Sequence, residues 1–220
     1  MKYLLTSAGI KNDSIKKSLI QMLGKPISKA TALCIPTAIY ALPNGSMHAW
    51  GFVSGDGETP MVELGWKSMG VLELTALPSI KQEYWMDLVK QTDVFLVNGG
   101  DPLYLAYWMK QSGFAELVPS LNAVYVGLSA GSMVITPKIG EEFVGWVSPE
   151  KNDLTLNLVN FSIFPHLDHV DLPDNTMTTA VKWVAKLDNP AYVIDDQTAI
   201  RVEDGVEEVI SEGTWRYFPK

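Results

Sequence analysis

The sequence predicts an α/β fold with a mostly parallel sheet that finishes in antiparallel strands. Three observations carry this. Short, almost wholly apolar runs (Thr31 to Ile35, Val94 to Val97, Ala123 to Val126) alternate with longer stretches of helical spacing, as strands covered on both faces do. Turns of glycine, serine and proline follow several of those runs directly. Near the C-terminus, short strand-like segments lie close together with no helix between them.

In order, Tyr3 to Thr6 reads as the first strand, and Asp13 caps a helix to Leu23 that Gly24 stops. Thr31 to Ile35 is a second buried strand, ended by Pro36. Residues 37 to 60 read as loop, and Thr59 with Pro60 opens a short helix toward Met69. Val71 to Leu74 is a strand, Ser79 starts a helix to Gln91, and Val94 to Val97 is a strand again. Asp101 fits the N-cap and Pro102 the first position of an aromatic helix. Ala123 to Val126 is a buried strand, and Pro137 to Asp153 is irregular. Phe161 to Phe164 alternates as a strand, and Pro173 to Leu187 is helical in pattern. Val193-Ile194, Ala199 to Val202 and Val206 to Ile210 form the antiparallel finish, with a turn at Asp204-Gly205.

At 220 residues and 24.3 kDa, one domain over residues 1–220 is the expectation. A net charge of −8 argues against nucleic acid or an anionic membrane as partner, since both call for a basic face. The lone cysteine, Cys34, fits a reducing cytoplasm, and no stretch approaches a membrane span in length. A soluble cytoplasmic protein is expected; the sequence carries no sign of its oligomeric state.

Four turns fall at strand ends: Ser7 to Gly9, Gly99 to Asp101, Gly127 to Gly131 and Pro165 to Asp168. In open α/β sheets that edge is where sites are built. Gly127-Leu128-Ser129-Ala130-Gly131 is a G-x-S-x-G turn, which can lift a serine hydroxyl out of the backbone. By chance alone the bare pattern occurs in roughly one chain of this length in fifteen. The strand before it makes Ser129 a candidate nucleophile. Of three histidines, His48 sits in a turn-rich stretch and His169 has no strand leading to it. His166 follows a strand and is the candidate base. The amides of Ala130 and of Gly99-Gly100 are candidate donors to an oxyanion, although a glycine pair can also serve only as a tight turn. Asp101, Glu142, Asp195 and Asp196 are candidates to pair with the α-ammonium group of a peptide. His166, Asp168, His169, Asp171 and Asp174 would also suit a metal by residue type, but they match no familiar ligand motif.

Taken together, Met1 to Gly9, Val97-Asn98-Gly99-Gly100-Asp101, Gly127 to Gly131 and Phe164-Pro165-His166 resemble the peptidase E family of α-aspartyl dipeptidases, to which cyanophycinase is related. The separation of 37 residues between Ser129 and His166 (166 − 129) matches that family's spacing. The resemblance implies a three-layer fold like that of class I glutamine amidotransferases, with helices on both faces of the sheet. It further implies cofactor-free hydrolysis of small peptides with an N-terminal aspartate. Two departures stand out: no aspartate follows the serine where the family has one, and the arginine that receives the aspartyl side chain has no counterpart. The carboxylate that orients His166 therefore has three candidates. Asp168 echoes the His-x-Glu of the amidotransferases, and Asp196 lies in a segment like the relatives' catalytic-site glutamate. Glu142 stands where the family places its aspartate. Glu142 is the expected primary partner and Asp196 a supporting group. Two rivals to a serine peptidase remain: a binding or regulatory homologue without turnover, and a metal-dependent hydrolase.

Overall fold

The computed structural model describes residues 1–57 and 59–220. Its main sheet has seven strands, β1 (Lys2–Thr6), β2 (Thr31–Ile35), β3 (Ser68–Val71), β4 (Val94–Val97), β5 (Val124–Leu128), β8 (Thr198–Glu203) and β9 (Val206–Ser211). Their order is β3-β2-β4-β5-β1-β8-β9. The first five are mutually parallel, and β8 and β9 add antiparallel strands beyond β1. A second sheet of three strands has the order β10-β7-β6, from β6 (Ser162–Phe164), β7 (Ala191–Ile194) and β10 (Trp215–Phe218).

Alternation along the central strands builds two cores. Tyr3, Leu5, Phe95, Val97 and Tyr125 point to one face. There they meet Trp85 and Val89 of α3 (Gln82–Lys90), and Leu105 and Met109 of α4 (Pro102–Gln111). Leu4, Cys34, Leu96 and Val126 point to the other, against α1 (Asp13–Leu23) and α2 (Gly45–Ser54). This is the predicted sheet between helical layers. Helix α7 (Met177–Lys186) covers the small sheet with Ala180, Trp183 and Val184. The short helices α5 (Phe114–Leu117) and α6 (Ala130–Met133) complete the α-helices among the described residues. Among the described residues no helix is long and apolar enough to cross a membrane.

Several local expectations need correction. The stretch read as loop holds a 3-10 turn (Thr37–Ala41) and all of α2. No helix forms over residues 59–67, and β3 starts at Ser68, three residues before the strand expected from Val71. Leu72 and Leu74 are buried past the end of β3, where the Leu72 amide donates to the Cys34 carbonyl of β2 at 2.9 Å and the Leu74 amide to Thr37 Oγ1 at 3.2 Å. Burial that continues past the end of the strand produced the same apolar pattern. At α1 the cap is Asn12, whose side chain accepts from the Ile15 amide, with Asp13 in the first turn. Strand β7 leaves the main sheet to lie parallel to β6, and β10 was not foreseen.

Candidate active site

Strand β5 enters the site through a turn that only small residues can make. A Cβ on Gly127 would lie 2.5 Å from the Gly131 carbonyl oxygen, and one on Gly131 would lie 2.4 Å from the Val97 carbonyl oxygen. Strand, turn and helix are thus packed backbone against backbone. The buried Tyr125 hydroxyl donates to the Gly131 carbonyl at 2.7 Å, and Ser132 Oγ donates to the Thr6 carbonyl at 2.8 Å. Within this clamp Ser129 has φ 49° and ψ −111°, a backbone state that costs about 1–3 kcal/mol and persists only where its surroundings enforce it. Ser129 Oγ makes no hydrogen bond among the described residues, and the side chain is partly exposed at the carboxyl edge of the sheet. Gly131→Ala should destabilise the protein by at least ~1–3 kcal/mol through overpacking. That corresponds to a fall in Tm of several degrees in a chain of this size, measurable by thermal unfolding.

The donors for an oxyanion are sorted by what else they bind. Ala130 is the first residue of α6, so its amide has no acceptor within the helix, and it makes no other bond among the described residues. The Gly99 amide is taken by the Asn98 side chain at 2.9 Å. Gly100, with φ 137°, keeps its amide unbonded among the described residues, and a Cβ there would meet the backbone of Ala38 at 2.4 Å. Gly99 instead contributes closeness: its Cβ position is 3.4 Å from that of Ser129.

His166 arrives from β6 in the left-handed region, φ 58°. The next amide, of Leu167, donates to the Ile194 carbonyl of β7, which joins the His166 loop to the one bearing Asp196. His166 Nδ1 lies 2.7 Å from Asp196 Oδ1. With the carboxylate as acceptor, Nδ1 carries the proton and Nε2 is left as the basic nitrogen. Ser7, fully buried just past β1, accepts from the His166 amide and donates to Asp196 Oδ1, each at 2.8 Å. His169 Nε2 stands 3.5 Å from Asp196 Oδ2. Burial alone would raise the pKa of Asp196, but the hydrogen bonds from His166 and Ser7 and the charges of His166 and His169 hold it below the ordinary aspartate value.

A strained serine on a strand-turn-helix turn, beside amides that make no other bond among the described residues, has the form of a nucleophile elbow, and the loops after β6 and β7 carry a histidine-aspartate pair. A family model described as peptidase family S51 matches residues 3–210. The chain belongs to peptidase family S51. This is the peptidase E family of serine peptidases that the motifs resemble. An uncharacterized peptidase of Listeria monocytogenes serovar 1/2a (strain ATCC BAA-679 / EGD-e) is 25% identical over a 133-residue alignment that covers 56% of this chain. That match spans 62% of the curated relative's length, less than two thirds of it. Two solved structures share the fold. A Listeria monocytogenes EGD-e protein assigned to peptidase E has a TM-score of 0.65 at 19% identity, over 96% of this chain and 98% of its own. A peptidase from an acI-B1 Actinobacterium has a TM-score of 0.59 at 20% identity, over 99% and 96%. The fold shared with both structures is the mostly parallel sheet between helical layers that the resemblance implied.

Within this S51 frame the other candidate residues lie as follows. Glu142 is exposed and forms an ion pair with Lys186 of α7. It is not the partner of His166; the Nδ1 contact belongs to Asp196. Asp168 is exposed, and among the described residues only its backbone amide is engaged, on the Asn175 carbonyl. Asp101 is buried and caps α4, accepting from the amides of Leu103, Tyr104 and, across the loop, Trp146. Burial holds its pKa above the ordinary value despite those bonds. Its role is to pin the loop that carries Trp146 to the start of α4. Asp195 is likewise committed, to Gln197, Thr198 and Thr214. His48 is exposed on α2. In the loop weighed as a metal site, Asp171 and Asp174 are exposed, and among the described residues no group of three or more His, Cys, Asp or Glu is placed to hold a metal ion. Ser7 was missed. Its turn was marked by position, but its link to His166 depends on β1 lying between β5 and β8, which residue spacing does not encode.

Proposed function

We propose that this S51 protein hydrolyses dipeptides or short peptides with a free amino terminus through an acyl-enzyme on Ser129. The observation that carries the mechanism is the His166-Asp196 contact of 2.7 Å through Nδ1, which leaves Nε2 as the base. In this reading Ser129 Oγ attacks the scissile carbonyl while its proton passes to His166 Nε2. The amides of Ala130 and Gly100 receive the developing oxyanion, and Asp196 stabilises the imidazolium. Collapse of the tetrahedral intermediate breaks the C–N bond, and the leaving amine takes its proton from His166. Water, deprotonated by the same nitrogen, then attacks the ester and releases Ser129. Among the described residues Ser129 and His166 share no hydrogen bond, and such bonds commonly tighten only with substrate bound.

The short-peptide part rests on the resemblance to peptidase E and on the chain's acidic balance, which favours a cationic amino end. The four carboxylates first considered for that amino group are all engaged: Asp101 and Asp195 on the chain itself, Glu142 on Lys186, and Asp196 on His166. Aspartyl preference has less support, because Lys138, the cation nearest Ser129 in sequence, is paired with Asp188 at 2.7 Å. A panel of dipeptides and tripeptides, free or acetylated at the amino terminus, tests the reading. Free peptides should be cleaved at least tenfold faster; equal rates would refute the requirement for an amino end.

A further inference from the structure

We propose that Ser7 is a positioning residue for this reaction, a hydroxyl that holds His166 and Asp196 in the one arrangement that leaves Nε2 basic. The inference rests on the serine peptidase reading and adds to it a residue from the opposite end of the chain. Three observations carry it. Ser7 is wholly buried, so its hydroxyl must find partners within the protein. Its oxygen accepts from the His166 main-chain amide at 2.8 Å, and that residue sits at φ 58°, where a side chain is disfavoured unless the surroundings hold it. Its proton goes to Asp196 Oδ1, again at 2.8 Å, the same oxygen that faces Nδ1 at 2.7 Å.

The direction of that proton matters. Ser7 Oγ is also 3.3 Å from Nδ1. A hydroxyl donating to Nδ1 would demand the tautomer protonated at Nε2, which cannot take a proton from Ser129. Donation to Asp196 removes that option, and the carboxylate then calls for a proton on Nδ1. One serine thus ties the end of β1 in the main sheet to the loops after β6 and β7 in the small sheet. It fixes both the backbone and the tautomer of the base. The loss of a hydrogen bond to a charged group predicts a rate reduced about 10- to 100-fold in Ser7→Ala. With one donor fewer, Asp196 becomes the stronger acceptor for the imidazolium, so the acidic limb of the pH-rate profile should move to higher pH.

The test compares wild type, Ser7→Ala and Ser7→Cys as full-length proteins, with folding checked by circular dichroism. A fluorophosphonate probe gives the rate of Ser129 modification against pH, and proton NMR reads the downfield resonance of the His166 Nδ1 proton. The proposal expects folded Ser7→Ala to be modified more slowly, with its acidic limb raised and the ring proton moved or broadened. It expects Ser7→Cys, which keeps a weak donor, to fall between. Wild-type rate, limb and ring proton in folded Ser7→Ala would overturn it. If Ser7→Ala does not fold, Ser7→Cys decides by the same three readings. If wild type is not modified at all, the serine peptidase reading fails, and the ring proton alone then decides whether Ser7 holds the His166-Asp196 pair.

Discussion

Ser129→Ala should abolish peptide hydrolysis, with kcat reduced on the order of 10⁴- to 10⁶-fold, while leaving the fold intact. The two halves of this expectation have separate causes. The hydroxyl is the one side-chain group the mechanism takes from Ser129, and catalytic groups that act as a unit lose nearly all their effect when the nucleophile is removed. Stability should hardly change, because Oγ makes no hydrogen bond in the described structure and is partly exposed. The strained backbone is enforced from outside, by the Ser129 amide on the Thr6 carbonyl and by the close packing of Gly127 on Gly131. Alanine meets the same constraint. Kinetics on a cleaved peptide, beside a thermal melt of both proteins, checks the pair of outcomes.

Asp196→Asn should cost up to about 10⁴-fold in kcat, whereas Glu142→Gln should stay within about twofold of wild type. An asparagine can turn its amide toward Nδ1 and donate, which selects the tautomer with Nε2 protonated. Geometry would survive and the base would be lost. Glu142 has no such leverage, since its neighbour is a surface lysine. The pKa of Asp196 adds a pH signature. Because the folded value is depressed, the stability this carboxylate contributes is present above the ordinary aspartate pKa and lost as pH falls through the folded one. The stability gap between wild type and Asp196→Asn should therefore be full near neutrality and close only in strong acid. A gap independent of pH down to about 2 would contradict the assignment.

The parts of the candidate site that a single strand presents were legible in the sequence as turns at strand ends. Ser129 could be read because an apolar strand runs straight into a glycine-bounded turn, and His166 because a strand precedes it. The glycines encode the elbow directly, since a Cβ at Gly127 or Gly131 would collide with backbone. The partner of His166 was not legible. Its candidates lie 2, 24 and 30 residues away in sequence (168 − 166, 166 − 142 and 196 − 166). The choice depends on β7 lying beside β6, which brings Asp196 to Nδ1 while Glu142 turns outward to α7. Family position favoured Glu142, and the packing of the small sheet favours Asp196. The same logic hid Ser7, which meets His166 across 159 residues. In the fold, α2 was overlooked because Pro43-Asn44-Gly45 reads as a turn, and its residues Trp50 and Met47 are exposed instead of marking a buried face.

The central claim is that Ser129 is the nucleophile and that His166, held by Asp196, activates it. Its most direct measurement is peptide mapping by mass spectrometry after brief reaction with a fluorophosphonate, on wild type and on His166→Ala. The account predicts one adduct on wild type, carried by the peptide containing Ser129, and a rate reduced by at least about a thousandfold in His166→Ala. An adduct on another residue, or equal labelling of Ser129 in the two proteins, would contradict it.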